Sequence, residues 1–286
     1  MKTNVAILTD TNSGITIQKA KELGVYLILM PILIDGEVYL EEKDIKKDFF
    51  FEKLNADADV TTSQPSPGDI LDMFDTLLKE YEEVVYIPMS SGLSGTCQTA
   101  TMLAADYDGK VHVVDNQRIS VTMRQSVLDA VALAEEGKSG AEIKAYLEED
   151  ALNAPIYIMV DTLKYLKKGG RVTAAGAAIG EVLNIKPVLK IDGGKLDAFA
   201  KVRGVKQAMK TMLKAAEEEM GNRLKGKKCI INGAYSGDDT VGEEWKKVLQ
   251  EAFPEYEIEM YELPMSICTH IGPGGMGVGV YSAYKE

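Results

Sequence analysis

The sequence predicts an α/β protein in two parts. A mostly parallel sheet flanked by helices spans residues 1–160, and an α+β unit with a mixed or antiparallel sheet spans 161–286. Three observations predict this. The first half alternates short apolar runs with amphipathic helical stretches, the pattern of βαβ units. The second half sets a hairpin among helices: Pro187–Ile191 and Lys195–Lys201 flank the turn Asp192-Gly193-Gly194. The chain has 286 residues, 45% of them hydrophobic, enough for two domains with sizeable cores.

Taken in order, Val5–Thr9 reads as a strand and Asp10–Gly14 as a loop. Ile15–Leu23 reads as a helix and Val25–Ile34 as one further strand. Asp35-Gly36 signals a turn, and Ile45–Asn55 has helical spacing. The stretch Thr61–Asp69 carries hydroxyls and prolines ahead of a helix over Ile70–Tyr81. Pro67 suits that helix's first turn. Val84–Met89 is a strand, Ser90–Thr96 a glycine–serine loop and Cys97–Ala105 a helix. Val111–Val114 is a strand, followed by helices over Val121–Ala134 and Ala141–Leu152. Ile156–Val160 closes the first half as a short apolar strand. Beyond it, Lys167–Arg171 is a basic glycine turn and Ala174–Ile185 a small-residue helix. Val205–Met220 and Val241–Phe253 are helices, Cys229–Ala234 and Ile258–Leu263 strands. Gly272–Tyr281 is glycine-rich, then apolar.

Composition excludes several functions. Lys and Arg total 32 against 44 Asp and Glu, a net charge of −12. Such a surface repels nucleic acid and anionic lipid headgroups. No run of about 18 apolar residues predicts a membrane span, and the first strand pattern starts without a signal-peptide profile. A cytoplasmic protein without stable membrane association is the expectation. The three cysteines, Cys97, Cys229 and Cys268, form no C-x-x-C pair, which argues against zinc or a disulfide framework. Cys97 is read as a small buried residue at a helix start.

The most informative stretch is Ser90–Thr96. A strand that breaks through glycines and hydroxyls into a helix offers free N–H groups and the positive end of the helix dipole to an anion. It lacks the Gly-Lys-Ser/Thr ending of a nucleotide loop. Gly92-Leu93-Ser94-Gly95-Thr96 also lacks the last glycine of a nucleophile elbow. A second hydroxyl cluster lies at Thr61–Ser63. Both clusters also fit ordinary capping and turn roles. Of two histidines, His112 sits in an alternating strand. His270 lies in a polar, glycine-rich turn, where a site role and an ordinary turn role weigh equally. Arg171 follows two glycines; it is either a solvated basic residue or a bidentate partner for an acid. The order Ser94, then Asp115 or Asp161, then His270 keeps a serine esterase open as an alternative. A binding module for another small organic acid is a further one.

Together these motifs resemble the DegV family, the fatty-acid-binding subunits of bacterial fatty acid kinase. The resemblance spans about residues 4–284. It runs through Thr9–Ser13, Thr62–Pro67, Ser91–Thr96, Leu166–Arg171 and His270–Gly274. It implies a two-domain α/β fold with an acyl chain buried between or within the domains. It implies that Thr62, Ser94 and His270 hold a fatty-acid carboxylate. Arg171, Ser63 and Gly95 would contact the headgroup or a partner. It further implies a long-chain ligand such as palmitate, no cofactor or metal, and no catalysis by this chain alone. The kinase catalytic subunit would be a separate partner. Cys97 departs from the aromatic residue common at that place.

Overall fold

A computed structural model describes residues 4–178 and 185–285. In chain order its elements are β1 (Val5–Asp10), α1 (Ile17–Leu23), β2 (Tyr26–Ile28), β3 (Pro31–Ile34), β4 (Glu37–Leu40) and α2 (Lys47–Asn55). There follow β5 (Val60–Thr62), α3 (Pro67–Leu77), β6 (Glu83–Ile87), α4 (Thr96–Ala104), β7 (Val111–Val113), α5 (Ser120–Glu135) and α6 (Gly140–Glu149). The second half comprises β8 (Ile156–Met159), α7 (Lys164–Gly169), α8 (Ala174–Ala177), β9 (Ile185–Ile191), β10 (Asp197–Arg203) and α9 (Val205–Gly221). It ends with β11 (Cys229–Tyr235), α10 (Asp239–Ala252), β12 (Glu259–Glu262), α11 (Met265–Ile271) and β13 (Met276–Ser282).

The first sheet is parallel throughout, in the order β2-β1-β6-β7. Its central strands are apolar on both faces because helices cover both. The helices begin where side chains satisfy free N–H groups. Ser66 accepts from Asp69 N at 3.1 Å ahead of Pro67 in α3, and Ser139 with Glu142 forms a capping box on α6. The second sheet is mixed, in the order β10-β9-β8-β13-β11-β12. Its outer face packs under α9 and α10 around Trp245 and Met212. Its inner face shares one core cluster with the small sheet β4-β3-β5 and with α2 and α11. That shared cluster joins the two halves of the chain.

Five expectations need correction. Val25–Ile34 is two strands in different sheets; Pro31 has no N–H for a ladder and opens β3 instead. Ile156–Val160, expected in the first sheet, forms β8, which pairs with β9 and β13 in the second. Its apolar pattern marks burial on both faces without naming the sheet. The basic turn at Lys167–Arg171 belongs largely to α7, which ends on Gly170 in the left-handed conformation. His270 lies in the last turn of α11, ahead of the glycine-rich turn. The helix expected over Ala174–Ile185 forms only at Ala174–Ala177, Ile185 opens β9, and the stretch between 179 and 184 lies outside the described residues.

Candidate functional site

The parallel strands β1, β6 and β7 end on the same side of the first sheet. The chain leaves β1 toward β2 on one side, and β6 lies on the other, so a crevice opens beyond their carboxyl ends. Asp10 closes the base of that crevice. Its carboxylate accepts Asn12 N at 2.9 Å, Asn12 Nδ2 at 2.8 Å and, from the end of the neighbouring strand, Met89 N at 3.1 Å. Full burial pushes its pKa up to about 6 despite those bonds.

A cavity of about 850 Å³, counting its open mouth, lies between these loops and the inner face of the second sheet. Asn12, Ser94 and Ser120 come from the three loops that follow β1, β6 and β7. Ile156, Ile158, Ile191 and Ala234 supply the apolar floor, and Ile267 and Ile271 a wall. Gly277 and Gly279 of β13, having no side chains, leave the floor low. A Cβ on Gly279 would sit 2.8 Å from Val121 Cγ2.

The polar residues gather at one part of this cavity. Thr62, Ser63, Ser94, Arg171 and His270 all line it. Gly95 does not; its bare Cα leaves room for Gln64, whose Oε1 would lie 2.8 Å from a Cβ there. Gln64 itself lines the cavity and is held by Thr99. Thr62 Oγ1 and His270 Nε2 are 2.8 Å apart. His270 Nδ1 is buried without a partner and packs onto Gly169, where a Cβ would stand 2.1 Å from it. Burial, with a smaller contribution from the Arg171 charge, lowers the His270 pKa to about 4. The imidazole is therefore neutral at pH 7. A proton on Nε2 given to Thr62 Oγ1 aims the threonine O–H at the cavity. Arg171 is held in place by two carbonyls: Nε donates to Leu93 O at 3.3 Å, and Nη1 to Gly169 O.

The loop after β6 works differently from the anion cradle that its composition suggests. Leu93 N and Ser94 N donate to Ser90 O, Gly92 N to Ser90 Oγ, and Ser91 N to Asp115. Thr96 N is taken by Ser94 Oγ at 3.2 Å. Thr96 Oγ1 lies 2.9 Å from the same oxygen. When Thr96 donates to it, Ser94 has its own O–H free for the cavity. The loop thus offers a hydroxyl more than a nest of amides.

These contacts leave the esterase triad unassembled. Ser94 pairs with Thr96, His270 with Thr62, Asp115 with Ser91, and Asp161 with Lys186. Cys97 is buried, and burial pushes its thiol up to about 11, so it is inert at neutral pH. Among the described residues no cluster of acids, histidines and cysteines suits a metal, and no helix is long and apolar enough to cross a membrane.

Sequence reasoning passed over Glu41. It is buried at the end of β4 and accepts Thr11 Oγ1 at 2.6 Å, Ser266 N at 2.9 Å and Ser266 Oγ at 2.9 Å. Ser266 Oγ also lies 3.0 Å from Asn12 Oδ1. This network fixes the start of α11, and so His270, to the first sheet. Nothing in the local Glu41-Glu42 pattern marks one acid as buried.

Two sheets with a mostly apolar cavity between them define an α/β fold with room for a small molecule. The chain belongs to the DegV family, whose model, described as one of uncharacterised proteins, matches residues 4–283. A DegV domain-containing protein of Listeria innocua is 30% identical over 281 residues, 97% of this chain and 98% of that protein. Among solved structures, a fatty-acid-binding DegV family protein of Thermus thermophilus is 34% identical. It superposes with a TM-score of 0.88 over 97% of this chain and 99% of that one. A fatty-acid-binding DegV family protein of Streptococcus agalactiae is 28% identical, with a TM-score of 0.87 over 99% of each chain.

Proposed function

We propose that this protein binds a long-chain fatty acid of the palmitate type and holds its carboxylate at Thr62, Ser94 and His270. The observation that carries the reading is the cavity itself. Hydroxyls and one neutral imidazole gather in one part, and branched apolar side chains line most of the rest. The description of similar solved structures as fatty-acid-binding proteins supports it.

The energetics fit. Burying about fifteen chain carbons gains roughly 12 kcal/mol at about 0.8 kcal/mol per CH₂. Lost ligand freedom offsets part of this. The tail supplies most of the affinity, and the hydroxyls remove the cost of burying an unpaired carboxylate. Arg171 and Ser63, which line the cavity, are assigned to the rim of the headgroup or to a partner contact, and Gly95, which does not line it, to a partner contact. Neutral donors leave carboxylate lone pairs free. In this reading a separate kinase subunit brings ATP, a carboxylate oxygen attacks the γ-phosphorus, ADP leaves, and acyl phosphate forms. This chain is a non-catalytic carrier in that sequence, placed in lipid transport or fatty acid metabolism.

Native mass spectrometry of the purified protein tests the reading. A bound mass of a C16–C18 acid is expected, as is weaker palmitate binding in Thr62→Ala and Ser94→Ala. A ligand-free protein with no affinity for palmitate refutes it. Labelling of Ser94 by a fluorophosphonate would favour the esterase instead.

A further inference from the structure

The N-terminus of α5 lines the cavity beside its glycine floor. Ile119, Ser120 and Val121 all line the cavity there, and Val121 faces the bare floor at Gly279. The helix runs for 16 residues, and its N-cap is Ile119, which has no side chain to accept a hydrogen bond. Ser120, Val121 and Thr122 are 7%, 4% and 0% exposed. Among the described residues, their three N–H groups donate to nothing, and the first intrahelical bond is Met123 N to Ile119 O at 3.4 Å. Ser120, a residue only 7% exposed that lines the cavity, also has a hydroxyl with no hydrogen-bond partner among the described residues. A buried helix start with unfilled donors costs free energy that an acceptor would recover.

The acceptor that fits is neutral. A helix N-terminus favours negative charge, but the nearest cations on this segment are already engaged. Arg118 donates to Ser126, to Asp150 and to the carbonyls of Asp150 and Ala151. Arg124 donates to Gly14 O and covers the Tyr261 ring. A second carboxylate buried here would lack a counter-charge, whereas a hydroxyl or keto oxygen needs only the donors present.

Resting on the fatty-acid reading above, we propose that the start of α5 is a second polar subsite, selecting acyl chains that carry an oxygen along their length. The Ser120 hydroxyl and the N–H groups of Ser120, Val121 and Thr122 would hold that oxygen, while the carboxylate stays at Thr62 and Ser94. Ser120 has φ +54°, so its position is set by a left-handed backbone that most side chains avoid.

The test measures affinities of delipidated protein for stearate, 10-hydroxystearate and 12-hydroxystearate by calorimetry. At least one hydroxy acid is expected to bind about three- to tenfold tighter than stearate, the range of one buried hydrogen bond. Ser120→Ala should cut that preference, read as the ratio of hydroxy-acid to stearate affinity within the same variant. Ser120→Gly, which keeps the left-handed backbone without strain, should do the same. If stearate binds and neither hydroxy acid exceeds it, the subsite is only hydrated and the proposal fails while the fatty-acid reading stands. A preference that survives both variants overturns the assignment to Ser120. Failure of all three acids to bind overturns the fatty-acid reading itself.

Discussion

Replacing Thr62 by valine removes one hydroxyl and almost no volume. Thr62 sits on β5, where its backbone pairs with Ile32, and that pairing does not use the side chain. Two hydrogen bonds are lost together: the one at 2.8 Å with His270 Nε2, and the one proposed to the ligand carboxylate. A hydrogen bond to a charged group contributes about 1.5–3 kcal/mol. At about 1.4 kcal/mol per tenfold, palmitate affinity should fall roughly 10- to 150-fold. The stranded imidazole costs about 1–3 kcal/mol of stability, so the variant should still fold, as a thermal scan will show. Titration calorimetry on delipidated protein gives the affinities. A cycle with His270→Ala should show coupling of about 0.5–3 kcal/mol, because the two side chains act through one hydrogen bond. Palmitate binding by Thr62→Val within threefold of the native value would refute the headgroup assignment.

Other consequences are as direct. Gly169→Ala places a methyl 2.1 Å from His270 Nδ1; displacement of the ring should cost about 1–3 kcal/mol in thermal or urea unfolding and weaken palmitate binding as well. Gly279→Leu puts a side chain against Val121 on the cavity floor, so dodecanoate should displace palmitate as the tighter ligand in a competition assay. Two opposed buried groups act on the pH dependence of stability, alongside Glu41 and Asp129, whose carboxyls burial also raises. His270, with its pKa lowered from 6.5 to about 4, stabilises the fold above pH 6.5, and about 3 kcal/mol is lost as pH falls to 4. Asp10, raised from 3.8 to about 6, takes up its proton in the folded state first, so stability rises by a similar amount, about 3 kcal/mol, as pH falls from 6 to 3.8. Between pH 6.5 and 4, His270→Gln should therefore lose about 3 kcal/mol less stability than the native protein; parallel urea titrations of both proteins would expose any disagreement.

Elements with their own local signals were legible in the sequence. The hairpin around Asp192-Gly193-Gly194 appears as β9 and β10, and Ser66-Pro67 starts α3. Hydroxyls at Thr62 and Ser94 and the ring of His270 do line one cavity, though they are 208 residues apart at the extremes. What stayed hidden depends on pairing across the chain. An apolar strand such as Ile156–Met159 has no mark of which sheet it joins. A buried acid such as Glu41 looks like its exposed neighbour until its three donors, from Thr11 and Ser266, surround it. The glycine–serine loop misled for a related reason. Its free amides are spent on Ser90 and Asp115, and neither bond is visible in composition.

The cluster that joins the two halves also walls the cavity: Ile156, Ile158, Leu166, Ile191 and Ile267 belong to both. An acyl chain lying there would be a piece of hydrophobic core that the polypeptide does not encode. Folding and loading then become one equilibrium. A ligand at a hundred times its dissociation constant adds about 2.7 kcal/mol to stability, a large share of what a typical domain has to spare. Proteases sample the unfolded fraction, so the lifetime of this protein in a cell would track the supply of its own cargo, and its abundance would read out lipid availability with no dedicated sensor.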